Sequence, residues 1–147
     1  MAYTTSTEIE SDFKDVTFTT TSNVKTADVT QFIAESDALI NSYVGKKYTT
    51  PVTSGEGLTL LKLLSRSLVT ARIKRLMEVK QEKNSDANQN ILGVLLSPTA
   101  VMKILSDIKD GTINLDGAAL LVSDSGFYSE NYQNDVEFVA KKSERQW

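Results

Sequence analysis

"TADVTQFIAESDALINSYVGKKYTTP", residues 26–51, reads as a helix with a built-in stop. Val29, Phe32, Ile33, Ser36, Ile40, Tyr43 and Val44 recur at three- and four-residue spacings and make one stripe. Thr26 is placed to cap the start, and Asp28 puts negative charge in the first turn, where the helix dipole favours it. Ser36 is the only non-apolar member of the stripe, a small residue that admits a neighbouring helix closely. Gly45 follows the last stripe residue, where a left-handed cap is expected. Lys46 and Lys47 stand at the negative end of the helix, and Pro51 blocks a quick restart. Tyr43 is expected in the core, and Tyr48 is placed to fold back over the helix end. No catalytic group, metal ligand or phosphate loop lies in this stretch.

Upstream, Thr5 and Glu8 have capping-box spacing, and Ile9 and Phe13 share a face, which predicts a short helix over about 6–14. "KDVTFTTTSNVKT" loses helical period and is expected to be a solvated linker. Downstream, "SGEG" at 54–57 reads as a turn, and a long helix is predicted over about 57–83. Its stripe is Leu58, Leu61, Leu68, Val69, Leu76 and Val79, widened by Leu60, Leu63, Leu64, Ile73 and Met77. An apolar arc that wide is buried by more than one neighbour, so this helix is the expected spine of the core.

A polar break, "NSDANQN", precedes the aliphatic "ILGVLL" at 91–96. Ser97 and Pro98 then mark a clean helix start, with Val101, Ile104, Leu105 and Ile108 as the stripe and Gly111 as the end. "TINLDGAALLV" is expected to form a β-hairpin around Asp116–Gly117. The fold class expected is therefore mainly α: a small helical bundle around a long central helix, with a short β-hairpin and an extended C-terminal arm. The division is a helical domain over 1–123 and an arm over 124–147. In that arm Phe127, Tyr128, Tyr132, Phe138 and Trp147 are scattered among polar residues. Two readings stand: a disordered chain end, or an arm that orders on docking to a partner, since aromatics are favoured interface anchors.

The 147 residues fit one domain able to bury a core without staples. There is no cysteine and no histidine, which removes thiolate chemistry, disulfides, and the commonest general base and metal ligand. No catalytic residues, cofactor or metal site are expected, and the chain is not expected to be an enzyme. The start lacks the pattern of a signal peptide, and "ILGVLL" is far below the ~18 apolar residues of a membrane span. A soluble protein made in a cytoplasm, with no membrane partner, is expected.

Between Leu58 and Lys83 seven basic residues face two acidic ones, giving +5; against a total of −3 the rest of the chain carries −8. One reading is a strip contacting phosphates. The other has the basic residues ringing a buried helix and pairing with the acidic remainder, within a subunit or between subunits. Lys62, Arg66, Arg72 and Arg75 are the candidates for ion pairing between subunits.

In order and spacing, these segments resemble the head–tail connector (adaptor, or head-completion) proteins of long-tailed bacteriophages. The residues carrying the likeness are Met1-Ala2-Tyr3; Ile40, Tyr43, Val44, Lys47, Tyr48 and Pro51; the 57–83 helix; and "ILSDIKDGTINL" at 104–115. They cover about residues 1–116. The chain departs from that pattern in having Lys47 where arginine is usual, a longer break at 84–97, and a tail from about 124 that aligns with nothing in the family. The resemblance implies a virion protein at the neck, in a dodecameric ring below the portal. Such a ring extends the DNA channel and joins capsid to tail. Implied partners are the portal protein, neighbouring copies, the next neck (stopper) or tail component, and genome DNA passing without specific binding. By the same likeness, the arm residues Phe127, Tyr128, Tyr132, Phe138 and Trp147 would contact the portal or a neighbour. Two alternatives remain: a tail-completion ring protein of the same region, and a small helical DNA-binding regulator using the basic helix.

Overall fold

The structure is a computed structural model and describes residues 2–13, 16–80 and 95–121. Four helices follow one another: α1 (Ser6–Glu10), α2 (Thr26–Val44), α3 (Gly55–Lys80) and α4 (Pro98–Lys109). α3 is the long central element and packs against each of the other three. The expectation of a mainly helical chain built around it holds. The C-terminal arm, the "NSDANQN" break, most of "ILGVLL" and the last turn expected of the long helix lie outside the described residues.

α1 begins with the reciprocal cap: Glu8 N donates to Thr5 Oγ1 at 3.3 Å, and Thr5 N donates to Glu8 Oε2 at 2.8 Å. The helix is shorter than its apolar spacing implies. After Glu10 the chain tightens into three-residue turns, with Asp12 N donating to Ile9 O and Phe13 N to Glu10 O. Ile9 and Phe13 are buried all the same.

The Thr-rich segment is not a plain solvated linker. Phe18 and Val24 are buried within it, and Phe18 meets Phe13 edge-to-face with ring centroids 6.0 Å apart. Its hydroxyls serve the turn: Ser22 N donates to Thr19 Oγ1 at 3.1 Å, and Thr26 Oγ1 donates to Phe18 O at 2.8 Å. Thr26 is therefore the first residue of α2, not its cap; Asp28 accepts from Lys25 N at 3.0 Å instead.

Along α2, Val29, Ile33, Ser36, Ile40 and Val44 are buried as the stripe requires, while Phe32 and Tyr43 are half-buried. Gly45 does not adopt the left-handed cap; its φ is −64°. The chain instead winds on through one more turn, with Tyr48 N donating to Val44 O at 2.9 Å. Among the described residues the left-handed glycines are Gly55, Gly111 and Gly117.

α3 starts at Gly55, so "SGEG" contributes its first turn rather than a loop. Leu61, Leu64, Val69 and Ile73 are buried. Val79 is 74% exposed and Leu63 39%, so the apolar arc does not close around the whole helix. α4 has the expected entry, with Ala100 N donating to Ser97 Oγ at 3.2 Å ahead of Pro98, and it buries Val101, Leu105 and Ile108.

The core divides in two. One cluster joins Tyr3, Ile40, Val44, Tyr48, Val52, Leu61, Leu64, Val101, Leu105, Ile108 and Leu115. The other joins Ile9, Phe13, Phe18, Val24, Val29, Ile33, Val69 and Ile73. Polar residues at the middle of α2 and α3, Ser36, Asp37, Ser65 and Arg66, fall in chain order between the two apolar sets.

The expected hairpin is replaced by another pairing among the described residues. The turn at Asp116–Gly117 is present, with Ala118 N donating to Leu115 O at 3.2 Å and Gly117 at φ 75°. Beyond it the chain does not return along 112–115. It runs antiparallel to the end of α2: Thr49 N donates to Ala119 O at 2.8 Å, Leu121 N to Lys47 O at 2.9 Å, and Tyr48 bridges Leu120. Leu115 is buried in the core, which takes its strand away from a local partner.

Candidate assembly surfaces

The stop signal after α2 and the "GTINL" segment after α4 are far apart in sequence and meet in space. Tyr48 is buried, its hydroxyl accepting from Leu115 N at 3.0 Å and lying 3.4 Å from Asn114 Oδ1. Lys47 Nζ donates to the same Asn114 oxygen at 2.7 Å. On the other side, Gly57 N donates to Asp116 O at 3.0 Å, so a carbonyl from the returning chain satisfies a first-turn amide of α3. Space here is tight. A Cβ on Gly57 would stand 2.9 Å from Leu115 Cβ, and one on Gly55 would stand 2.7 Å from Gly117 Cα. This joint presents Leu120 and Leu121, 58% and 46% exposed, at the molecule's surface.

A polar belt holds α1, α2 and α3 in register. Asp37, buried on α2, accepts from Tyr3 N at 3.2 Å and from Ser65 Oγ at 3.2 Å, and Ser36 Oγ lies 3.3 Å from Ser65 Oγ. Burial pushes the Asp37 carboxyl up, opposed in part by these two donors. The Tyr3 hydroxyl donates to Asn41 Oδ1 at 2.6 Å and accepts from Val52 N at 3.2 Å; burial raises it too. Asp12, also buried, takes both a hydrogen bond and an ion pair from Arg66, which raises the guanidinium. Burial alone would raise Glu8, but Thr5 N, the Thr4 and Thr5 hydroxyls and the Lys62 charge together lower it. Among the described residues no buried side-chain nitrogen or oxygen lacks a partner.

The four basic residues of α3 expected to pair with other subunits have distinct surroundings. Arg66 pairs with Asp12, and Arg72 pairs with Glu35 while stacking on Phe32, its guanidinium carbon 4.4 Å from the ring centroid. Gln31 and Arg72 together lower the Glu35 carboxyl. Lys62 and Arg75 are exposed and make no ion pair among the described residues. Phe127, Tyr128, Tyr132, Phe138 and Trp147 lie outside those residues. Sequence reading missed Asp37 and Asp12 as organising groups. Asp37 did carry a signal: it stands four residues after Ile33, on the buried side of α2.

Among the described residues a groove lies beside α3. Ser67, Thr70, Ala71, Lys74, Arg75 and Glu78 form one wall and Leu95–Pro98 the other, enclosing about 540 Å³. Val79, the most exposed large apolar residue described, stands one turn beyond Arg75 on α3. Among the described residues no three carboxylate, histidine or cysteine side chains gather as a metal site, and no helix is long and apolar enough to cross a membrane.

A family model described as "Bacteriophage Mu, Gp36" matches residues 3–125. The chain belongs to that phage protein family. No curated protein and no solved structure matches it. The Gp36 match starts at Tyr3, the residue that ties the N-terminus to α2. It takes in both core clusters, the polar belt and the joint between Tyr48 and Leu115. Residues 126–147, which include all five arm aromatics, lie beyond it.

Proposed function

We propose that this Gp36-family chain is a structural, non-enzymatic subunit of a phage neck. Copies form a dodecameric ring below the portal that extends the DNA channel and joins capsid to tail. The observation that carries the reading is the joint itself. Two of the segments that carry the resemblance to head–tail connectors, Lys47-Tyr48 and "GTINL", are bonded to each other through Tyr48, Asn114 and Leu115, with Tyr48 and Leu115 buried. That joint displays two exposed leucines next to the point where the arm leaves, a surface suited to a neighbouring protein. In the ring, the arm over 124–147 contacts the portal or the next copy.

The DNA-binding regulator is the weaker reading because α3 spends part of its charge internally. Arg66, Arg72 and Lys74 each face a carboxylate, on Asp12, Glu35 and Glu78. Each basic residue paired in this way is one fewer to release counterions from a duplex.

Electron microscopy of the protein mixed with the portal encoded beside it tests the proposal. The expected result is a closed ring of this chain stacked on the portal. Portal particles left bare, or steady turnover of a substrate by the isolated chain, overturn it. Duplex binding that tightens steeply as salt falls would instead favour the regulator, and labelling confined to the tail end of virions would favour a tail-completion ring.

A further inference from the structure

Ring closure needs a contact between two different surfaces, one on each side of every subunit, since a heterologous interface is what generates a ring. The groove beside α3 has the features of one such surface. Its floor and far wall are apolar at Ala71, Leu95, Leu96 and Pro98. Among the described residues its α3 wall carries Arg75, which makes no ion pair there, beside the Lys74–Glu78 pair.

The stretch 124–138 of the same sequence is chemically opposite. It holds Asp124, Glu130, Asp135 and Glu137 with no lysine or arginine, interleaved with Phe127, Tyr128, Tyr132 and Phe138. Acidic residues between aromatic anchors match a basic-rimmed apolar groove. An extended chain spans up to about 3.3–3.6 Å per residue, so residues 122–138 reach at most about 60 Å beyond Leu121. Docked on its own subunit the stretch would join nothing; docked on the next copy it supplies the asymmetric contact that a closed ring demands.

We propose that the groove between α3 and Leu95–Pro98 receives residues 124–138 of a neighbouring copy. This deepens the ring reading and rests on it. The aromatic rings fill the apolar floor, and the carboxylates meet Arg75.

The test uses the full chain with Val79→p-benzoylphenylalanine, a substitution at an exposed side chain, mixed with isotopically heavy wild-type chain and assembled on the portal. Irradiation followed by peptide mass spectrometry is expected to join position 79 of the light chain to residues 124–138 of the heavy chain. Adding Arg75→Glu to the photoreactive chain should cut that yield several-fold, and a heavy chain carrying Glu137→Lys should restore part of it. Rings seen by microscopy with cross-links only within one chain, only to other segments, or absent would overturn this contact and leave the ring standing. No ring at all would overturn both.

Discussion

The Tyr48 hydroxyl receives a hydrogen bond from the backbone nitrogen of Leu115, 67 residues further along the chain, at 3.0 Å inside the core. A phenol is the right group for this place. Its ring fills the apolar cluster beneath the end of α2, and its oxygen serves an amide that would otherwise be buried without a partner. Tyr48→Phe keeps the ring and removes the acceptor. The expected cost is about 1–3 kcal/mol, the usual penalty for a buried donor left unsatisfied. Urea unfolding read by circular dichroism measures it; an unchanged midpoint would mean that Leu115 N finds another partner.

Gly57 sets two effects against each other. Alanine is better than glycine in a helix by about 1 kcal/mol, which favours Gly57→Ala. The new methyl would meet Leu115 Cβ at 2.9 Å and Asp116 O at 3.0 Å, and neither is the loose end of a long side chain. Overpacking of this kind costs about 1–3 kcal/mol. The clash should win, and the variant should melt below the wild type. A higher melting temperature would show that the 111–117 turn gives way easily.

These two sites also mark where the sequence was legible. Helix starts with side-chain caps, Thr5–Glu8 and Ser97–Pro98, act within four residues, so they were readable. The stripes of α2 and α4 were readable for the same reason: helical period is local. The pairing of 118–121 with 47–49 was not. Asp116-Gly117 specifies a turn, and nothing within ten residues says which distant segment the chain will lie against after it. Phe18 and Val24 were hidden by their Thr-rich surroundings, although each is an isolated large apolar residue in a polar run. On α3 the wide apolar arc pointed to more than one neighbour, and three helices do pack on it, yet Leu63 and Val79, about 160° apart around the helix, both stay exposed. The basic residues were visible; the identity of their carboxylate partners depended on how α1 and α2 fold back.

The exposure of Val79 gives a paired prediction. Leu105 is fully buried among residues of α2, α3 and α4, so Leu105→Ala should cost about 2–5 kcal/mol through lost transfer energy and an unfilled cavity. Val79, with 74% of its surface in solvent, belongs to the same kind of apolar pattern but should behave differently. Val79→Ser is expected to change the stability of the isolated chain by no more than about 0.5 kcal/mol. Guanidinium titrations of both variants check the contrast. A large loss at position 79 in the monomer would mean that its side chain is covered within the chain.

Asp37 offers a test by pH. Burial holds its carboxyl above the ordinary value in the folded chain, so the folded state binds this proton more tightly than the unfolded state does. Its contribution to stability is therefore most favourable below the unfolded-state value, about 3.9, and declines as the pH climbs from there through the raised folded-state value. Glu8 and Glu35, both lowered, act in the opposite sense: their contributions are present above the unfolded value and are lost as the pH falls. A comparison of wild type with Asp37→Asn separates the two, because the amide keeps an oxygen for Tyr3 N and Ser65 Oγ but does not ionise. The difference in urea midpoint between the two proteins should shift in favour of the asparagine variant between pH 3 and pH 7. A difference that stays flat, or moves toward the wild type as the pH rises, would show that the Tyr3 and Ser65 donors more than offset the burial of the charge.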